Sequence, residues 1–330
     1  MKITSSFLHT KRDSIVNGRN EKVILRGLNL GGWLMMEGYI LGGRNIPEKE
    51  FKRGFASRFG KKELKRFSCL YQDNFVTEAD FKLIADCGLN CVRVPFNHRL
   101  LEEDERSYKY KKEGIYYLDK VVRLCDKYKI YCILDLHAVQ GSQNEDWHSD
   151  SSAKAWLWRR NEYQKRCLGL WEFIADRYKD EPYVAGYDIM NEPVNKDPSL
   201  ILNLYKRVIK TIRSVDEKHI VFLEGNMWAQ ELDFLRRNIT DNNFVYSIHF
   251  YVPLEFTFNF SVGLIYPGKI GRRYWSKSTL KNVLLRYYRI KKKDDIPIYV
   301  GEFGQNSHCM HYPKEFQWLK DVLEIFREFE

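Results

Sequence analysis

The stretch Tyr183–Val194, YVAGYDIMNEPV, decides the fold because an apolar run ends directly in Asn191, Glu192 and Pro193. The run has the length and composition of a buried strand. A carboxylate is costly to bury in a core, so this strand should end at an edge that opens onto a site. In parallel α/β folds the carboxyl ends of the strands form such an edge, and functional residues gather there.

The same alternation of strand and helix continues on both sides of this stretch. Further strands are predicted at Lys22–Leu30, Cys91–Phe96, Tyr131–His137, His219–Gly225, Phe244–Tyr251 and Ile296–Gly304. Helices are predicted at Glu63–Cys87, Ile115–Tyr128, Tyr163–Tyr178, Leu200–Val215, Ser278–Ile290 and from Lys314 onward. Uniform strand-then-helix alternation predicts a parallel sheet. Seven such units without a Gly-x-Gly-x-x-Gly turn favour an α/β (β/α)8 TIM barrel over an open doubly wound sheet.

Both ends of the chain carry additions to this pattern. Residues 1–23 include SIVNGRNEKV, which predicts an N-terminal β-hairpin cap that turns at Asn17-Gly18. The seventh strand is followed by the helix of FQWLKDVLEIFREFE, and no eighth strand is visible after it. We therefore expect one catalytic domain over residues 1–330, with a barrel that lacks its eighth strand.

Composition narrows the class of protein. The 330 residues carry a formal charge of +10, but the basic residues are dispersed among acidic ones and no nucleic-acid-binding motif accompanies them. No segment reaches the length of a membrane span and no signal peptide is visible, which predicts a cytoplasmic protein; a secreted protein with an incomplete N-terminus is the alternative. Seven cysteines without a CxxC pair argue against a disulfide framework. We expect a monomer without nucleic-acid or membrane partners.

Polar residues recur at the predicted carboxyl ends of the strands. The members of this set are Asn29, Trp33, Arg93, Asn97, His137, Asn144, Asn191, Glu192, Glu224, His249, Tyr251 and Glu302. Because side chains alternate along a strand, Ile133, Asp135 and His137 should share one face, as should Ser247, His249 and Tyr251, and Ile298, Val300 and Glu302. If those faces line the barrel, the polar ends converge above its axis.

Glu192 and Glu302 form a pair of carboxylates at the ends of the fourth and seventh strands. Such a pair suits glycosidic bond cleavage, in which one carboxyl group protonates the departing oxygen and the other attacks the anomeric carbon or activates water. Arg93 and Tyr251 are the kinds of group that keep a carboxylate ionised as a nucleophile. An acid at Glu192 would need a pKa raised by burial and by the other carboxylate.

Six motifs in order, GLNLGGWLMMEG, VRVPFN, LDLHAVQGSQN, YDIMNEP, SIHFY and VGEFG, resemble glycoside hydrolase family 5, the cellulase-type retaining β-glycosidases. The resemblance implies Glu192 as the acid/base and Glu302 as the nucleophile, with a β-linked oligo- or polysaccharide as substrate. It implies a substrate-binding set of Arg93, His137, Asn191, His249, Tyr251, Asn144, Glu37 and Trp33, without cofactor or metal. The patterns around Trp33 and Glu37 and at Gly141–Asn144 look like the exo-β-1,3-glucanase branch.

Two other interpretations stay open at this stage. A metal-dependent hydrolase would use His-x-His on the first strand, which NLGGW lacks, although HCMH at His308–His311 offers ligand-type residues in a loop. A carbohydrate-binding barrel with impaired catalysis would explain the missing strand and would use Trp33, Trp147, Trp228 and Trp275 as stacking residues.

Overall fold

Seven parallel strands form one curved sheet in the computed structural model, which describes residues 7–261, 263–306 and 316–330. The strands are β3 (Gly27–Asn29), β4 (Cys91–Asn97), β5 (Tyr131–Ala138), β6 (Val184–Asp188), β7 (Ile220–Glu224), β8 (Phe244–Phe250) and β11 (Ile298–Phe303). Their spatial order is β3-β4-β5-β6-β7-β8-β11, so each strand lies beside its neighbour in sequence. This order confirms the predicted TIM-barrel architecture with seven strands.

Helices cover the outer face of the sheet. They are α1 (Glu48–Phe59), α2 (Lys61–Phe75), α3 (Glu78–Asp86), α4 (His98–Leu101), α5 (Lys112–Tyr128), α6 (Asn161–Tyr178), α7 (Pro198–Arg213), α8 (Asn226–Ala229), α9 (Leu254–Thr257), α10 (Lys277–Asp294) and α11 (Phe316–Phe329). The helical region predicted at Glu63–Cys87 contains two helices, α2 and α3. They are separate because Thr77 begins α3 with a capping box, in which its backbone N–H donates to Asp80 over 2.7 Å.

The core has two layers that follow the alternation of side chains along the strands. Outward-facing residues such as Val92, Val94 and Leu134 pack against the helices in the larger cluster. Inward-facing residues such as Ile133 and Val245 fill the lower interior of the barrel. Apolar side chains therefore occupy the bottom of the barrel, which leaves its upper end to polar groups.

A hairpin of β1 (His9–Lys11) and β2 (Ser14–Val16) closes the lower end of the barrel. Its apolar residues Leu8 and Ile15 join the interior cluster, which confirms a cap at this end. The turn lies at residues 12–13, where Arg12 has a φ of 55°. The sequence predicts a pair of strands, one on either side of Asn17-Gly18. In their place the described residues have one antiparallel bridge, between Val16 and Lys22. A separate small pair, β9 (Gly268–Ile270) with β10 (Arg273–Trp275), lies in the segment between β8 and α10.

The barrel has a seam between β3 and β11. Within the described part of the chain no strand pairs with the outer edge of either one. Asn29 spans the upper seam by donating from Nδ2 to the carbonyl of Gly301 over 3.0 Å. A cavity of about 660 Å³ lies along this seam, and its lining includes Val23, Leu25, Tyr287, Val300, Phe303 and Phe326. The cavity thus follows the seam between β3 and β11, and the Asn29 side chain crosses that seam.

No helix among the described residues is long and apolar enough to cross a membrane.

Candidate active site

Arg93 organises the polar groups at the upper end of the barrel. It projects inward from β4 and is 1% exposed. Its guanidinium nitrogens contact five side chains: Glu302 (2.7 Å), Glu224 (2.8 Å), Asp188 (2.9 Å), Asn191 (2.9 Å) and Asp135 (3.1 Å). One guanidinium therefore joins the ends of β5, β6, β7 and β11 and sets the position of a carboxylate at the mouth.

Glu302 faces the barrel because β11 contains a bulge. Val300 pairs with Ile248 but Glu302 pairs with His249, so the register shifts at Gly301. The prediction that Ile298, Val300 and Glu302 share one face is therefore wrong. Ile298 and Val300 pack outward among the helices, and the bulge turns Glu302 inward.

Two donors hold the Glu302 carboxylate. Arg93 Nη1 contacts Oε1, and the Tyr251 hydroxyl donates to Oε2 over 2.9 Å. Burial opposes ionisation of this group, but the positive charges of His249 and Arg93 outweigh burial and hold its pKa below the usual value. Glu302 is thus an ionised, fixed carboxylate.

Glu192 stands in a strained backbone conformation, with a φ of 47°. Its backbone N–H donates to Glu224 Oε2 over 2.5 Å, and Gln143 Nε2 donates to the preceding carbonyl of Asn191 over 2.7 Å. These contacts hold the turn that follows β6 and aim the Glu192 side chain into the mouth. An oxygen of Glu192 and an oxygen of Glu302 lie within 4.8 Å of each other.

Histidines contact both oxygens of Glu192. His249 Nδ1 lies 2.7 Å from Oε1, and His148 Nε2 lies 3.1 Å from Oε2. Burial raises the pKa of Glu192, but the hydrogen bonds from His148 and His249 outweigh burial and hold it well below the usual value. The raised pKa that an acid at Glu192 would need is therefore opposite in direction to the shift that these two histidines produce.

His137 and Glu37 face each other beside the two glutamates. His137 Nδ1 lies 2.8 Å from Asp135, and its Nε2 lies 3.6 Å from Glu37. Burial would lower the pKa of His137, but the charge and hydrogen bond of Asp135 raise it to about 9. Burial raises the pKa of Glu37 to about 7, partly offset by His137. Asn191 Nδ2 lies 3.4 Å from His137 Nε2, so the Asn191 amide lies beside His137 and Glu37.

Two residues predicted to bind substrate have other contacts. Trp33 is 1% exposed, packs in the outer core and donates from Nε1 to the carbonyl of Gln72 over 2.8 Å. Its ring offers no face to a sugar, so that prediction is wrong. Asn144 is also buried and donates from Nδ2 to the carbonyl of Glu192 over 2.9 Å. This amide supports the backbone of Glu192.

Aromatic side chains surround the mouth. Trp147 packs edge-on against Tyr39 with ring centroids 5.7 Å apart, and Tyr251 packs against Phe258 at 5.0 Å. Trp228 donates from Nε1 to Asp146 over 2.8 Å. Because the residue is 36% exposed, its ring remains available for stacking. Trp275, by contrast, is buried in the core, and its predicted stacking role is wrong.

The predicted catalytic and substrate-binding residues do not include Asp135, Asp188 or His148, and the sequence predicts Glu224 only as a polar strand end. For Asp135 it predicts only a face shared with His137. Asp188 had no signal beyond its place in β6, and His148 lies in a short turn after β5. The alternation of side chains could have found Asp135, whereas His148 reaches Glu192 only through the path of its loop.

Among the described residues, two separate groups each have ligand-type atoms that lie within 4.8 Å of one another: Glu192, His249 and Glu302 in the first, and Asp135, Asp188 and Glu224 in the second. The Arg93 guanidinium lies against all three carboxylates of the second group and supplies positive charge there. The first group contains the two glutamates and a histidine that bridges them. The HCMH stretch, His308–His311, lies outside the described residues.

Comparison with known proteins identifies the family. The family model Cellulase (glycosyl hydrolase family 5) matches residues 51–324. A beta-xylosidase of Phanerodontia chrysosporium is 33% identical over 98% of this chain and 68% of its own length. Endoglucanase C of Acetivibrio thermocellus is 26% identical over 92% of this chain and 88% of its own length.

Solved structures share the fold. The endoglucanase Cel5A structure from the hyperthermophilic Thermotoga maritima superposes with a TM-score of 0.64 at 21% identity, covering 92% of this chain and 86% of that one. The structure of another glycoside hydrolase gives a TM-score of 0.69 over 93% of this chain and 86% of that one, also at 21% identity. With the family match over most of its length, the chain belongs to glycosyl hydrolase family 5 and is a glycoside hydrolase.

Proposed function

We propose that this chain cleaves β-glucosidic bonds of β-glucans or related β-glycosides with retention of configuration, using Glu302 as nucleophile and Glu192 as acid/base. The observation that carries the proposal is the approach of the two carboxylates to within 4.8 Å. Retaining glycosidases hold their carboxyl groups about 5 to 5.5 Å apart, whereas inverting enzymes need about 6.5 to 9.5 Å to admit a water molecule. The separation favours direct attack by a carboxylate.

The contacts of each glutamate support its role. Glu302 is fixed by Arg93 and Tyr251, so an ionised oxygen is available to attack the anomeric carbon. Glu192 contacts no Arg or Lys side chain in the described residues, and its neighbours His148 and His249 can exchange protons with it. In the first step Glu192 gives a proton to the leaving oxygen as its bond to C1 breaks, while the bond from C1 to Glu302 forms. In the second step Glu192 takes a proton from water, the water oxygen bonds to C1, and the bond from C1 to Glu302 breaks.

The substrate class rests on the relatives together with the site. The names of the relatives include beta-xylosidase, endoglucanase and glucan 1,3-beta-glucosidase, which all describe action on β-linked sugars. Buried polar groups at His137, Glu37 and Asn191 form a pocket wall suited to hydroxyl groups, and the exposed Trp228 offers a ring for stacking.

The test compares the parent chain with Glu302→Gln on aryl β-glucosides, aryl β-xylosides and soluble β-glucans. We expect turnover in the parent chain, a loss of at least about 1000-fold in Glu302→Gln, and normal turnover in the exposed control Glu145→Gln. The early product should be the β-anomer by NMR. Binding of β-glucan without turnover in the parent chain would instead support the impaired carbohydrate-binding barrel, and an early α-anomer would refute retention.

A further inference from the structure

His148 contacts Glu192 on the side opposite His249. It lies in the 3-10 turn Trp147–Ser149, and the His148 and Glu192 side chains are 17% and 13% exposed. Its Nε2 lies 3.1 Å from Glu192 Oε2. Both side chains of the pair are therefore partly exposed at the mouth.

If Glu192 is the general acid of the proposed function, its negative charge in the resting site means that it must gain a proton before the leaving group departs. A general acid must hold a proton when the leaving group departs. The two histidines keep Glu192 ionised in the absence of substrate, since they hold its pKa well below the usual value. His148 and His249, which each contact one oxygen of this carboxylate, are the nearest groups that can supply that proton.

His249 is poorly suited to give up that proton. Its ring nitrogens lie 2.7 Å from Glu192, 3.1 Å from Glu224 and 3.5 Å from Glu302, so three carboxylates favour its charged form. His148 contacts only one carboxylate, Glu192, among the ion pairs of the described residues. Of the two imidazolium ions, the one at His148 loses less electrostatic stabilisation on transferring its proton.

Asn144 provides a partner for His148 after such a transfer. Its Nδ2 lies 3.2 Å from His148 Nε2 and also donates to the carbonyl of Glu192. An amide nitrogen is only a donor, so it can bond the lone pair that Nε2 exposes once its proton has left. Both protonation states of His148 thus have a hydrogen-bond partner.

We propose that His148 is a positioning residue that holds the catalytic proton in the resting site and passes it to Glu192 when substrate binds. The Nε2–H bond of His148 breaks as the Oε2–H bond of Glu192 forms, and the net charge of the pair does not change. That proton then moves to the glycosidic oxygen as the C1–oxygen bond breaks. The water of the second step returns a proton to Glu192, from which His148 recovers it. The other charged groups that face His148 are Glu37 and His137, which favour and oppose its positive charge respectively.

The kinetic test uses His148→Gln, which keeps a hydrogen-bond donor but cannot titrate. Aryl β-glucosides with leaving groups of pKa from about 4 to about 10 separate a need for protonation from other defects. We expect kcat/KM to fall about 100-fold for the poorest leaving group and less than about threefold for the best one. The alkaline limb of the pH profile should move to lower pH, because Glu192 must then hold the proton alone. His9→Gln, in the N-terminal hairpin, controls for loss of an imidazole elsewhere.

An equal loss of kcat/KM on every leaving group, with an unchanged alkaline limb, would show a purely structural role and overturn the proposal. The same holds if His148→Gln behaves like the parent chain. Inactivity of the parent chain itself would instead count against the proposed function.

An NMR titration tests the proposal without turnover. The chain has 8 histidines, and the His148 ring signal is assigned by its loss in His148→Gln. In Glu192→Gln the titration midpoint of His148 should fall by about one pH unit or more, since its carboxylate partner is gone. A midpoint that does not move would show that the two groups share no proton.

Discussion

Replacing Asp188 with asparagine should stabilise the protein increasingly as the pH rises from about 6 to about 8. Asp188 is fully buried beneath the proposed catalytic pair, and its Oδ2 accepts from Arg93 Nε over 2.9 Å. Its Oδ1 has no hydrogen-bond partner among the described residues. Burial and the nearby charge of Glu224 raise its pKa to about 8, against the opposing effect of Arg93. An uncharged amide should therefore be tolerated here.

The sign follows from proton linkage. The pKa of Asp188 is about 8 in the folded chain against a model value of 3.8, so the folded state binds more protons between these values. The stability that this group contributes is fully present below the unfolded pKa of 3.8. It declines as the pH rises above that value and is lost once the pH passes the folded pKa of about 8. Each pH unit is worth about 1.4 kcal/mol. Between about pH 6 and about pH 8 the wild type therefore loses about 2 kcal/mol that Asp188→Asn does not lose, somewhat less than two full units because the carboxyl group is half ionised at its pKa.

Urea unfolding at about pH 6 and about pH 8 measures this difference. We take the free energy of unfolding to fall by roughly 3 kcal/mol per molar urea. The urea midpoint of Asp188→Asn minus that of the wild type should then be about 0.7 M larger at about pH 8 than at about pH 6. The exposed control Asp180→Asn should show a gap that is the same at both pH values. If Asp188→Asn also shows a constant gap, the carboxyl group is ionised throughout and the reasoning about the buried cluster is refuted.

Three further substitutions test individual residues. Tyr251→Phe removes the hydroxyl that donates to Glu302 and should lower kcat by about 10- to 100-fold without changing the urea midpoint; a change below twofold would contradict this role. Trp33→Phe breaks the hydrogen bond to the carbonyl of Gln72 and should cost about 1 to 3 kcal/mol of stability with KM unchanged, whereas a raised KM would restore its predicted place in the substrate site. Trp228→Ala should raise KM for oligosaccharides severalfold more than for aryl monoglycosides, and equal effects on both would exclude stacking.

Much of the barrel could be predicted from the sequence because its signals are local. The stripe of Leu118, Val121, Val122 and Cys125 is buried along α5, as its helical spacing predicts. Alternation along β5 and β8 correctly placed His137 and His249 at the mouth. The same rule failed on β11, since one extra residue at Gly301 reverses the faces, and strict alternation takes no account of the bulge that a glycine within a strand can mark.

Other features depend on contacts between distant segments. Trp33 lies in a motif typical of a binding loop, yet α2 covers it and Gln72 accepts its indole N–H. His148 meets Glu192 because the loop after β5 folds across the mouth, a path that no periodicity encodes. The charge of each carboxylate depends on the number of neighbours around it, which only the assembled barrel determines.

The central claim is that Glu302 attacks the sugar. Incubation with activated 2-deoxy-2-fluoro β-glucosides and β-xylosides, followed by mass spectrometry of proteolytic peptides, tests it most directly because the fluorine slows release of the covalent intermediate. The account predicts one sugar attached to Glu302 and none in Glu302→Gln. Attachment to another residue, or sustained turnover of unmodified substrate with no covalent adduct, would contradict it.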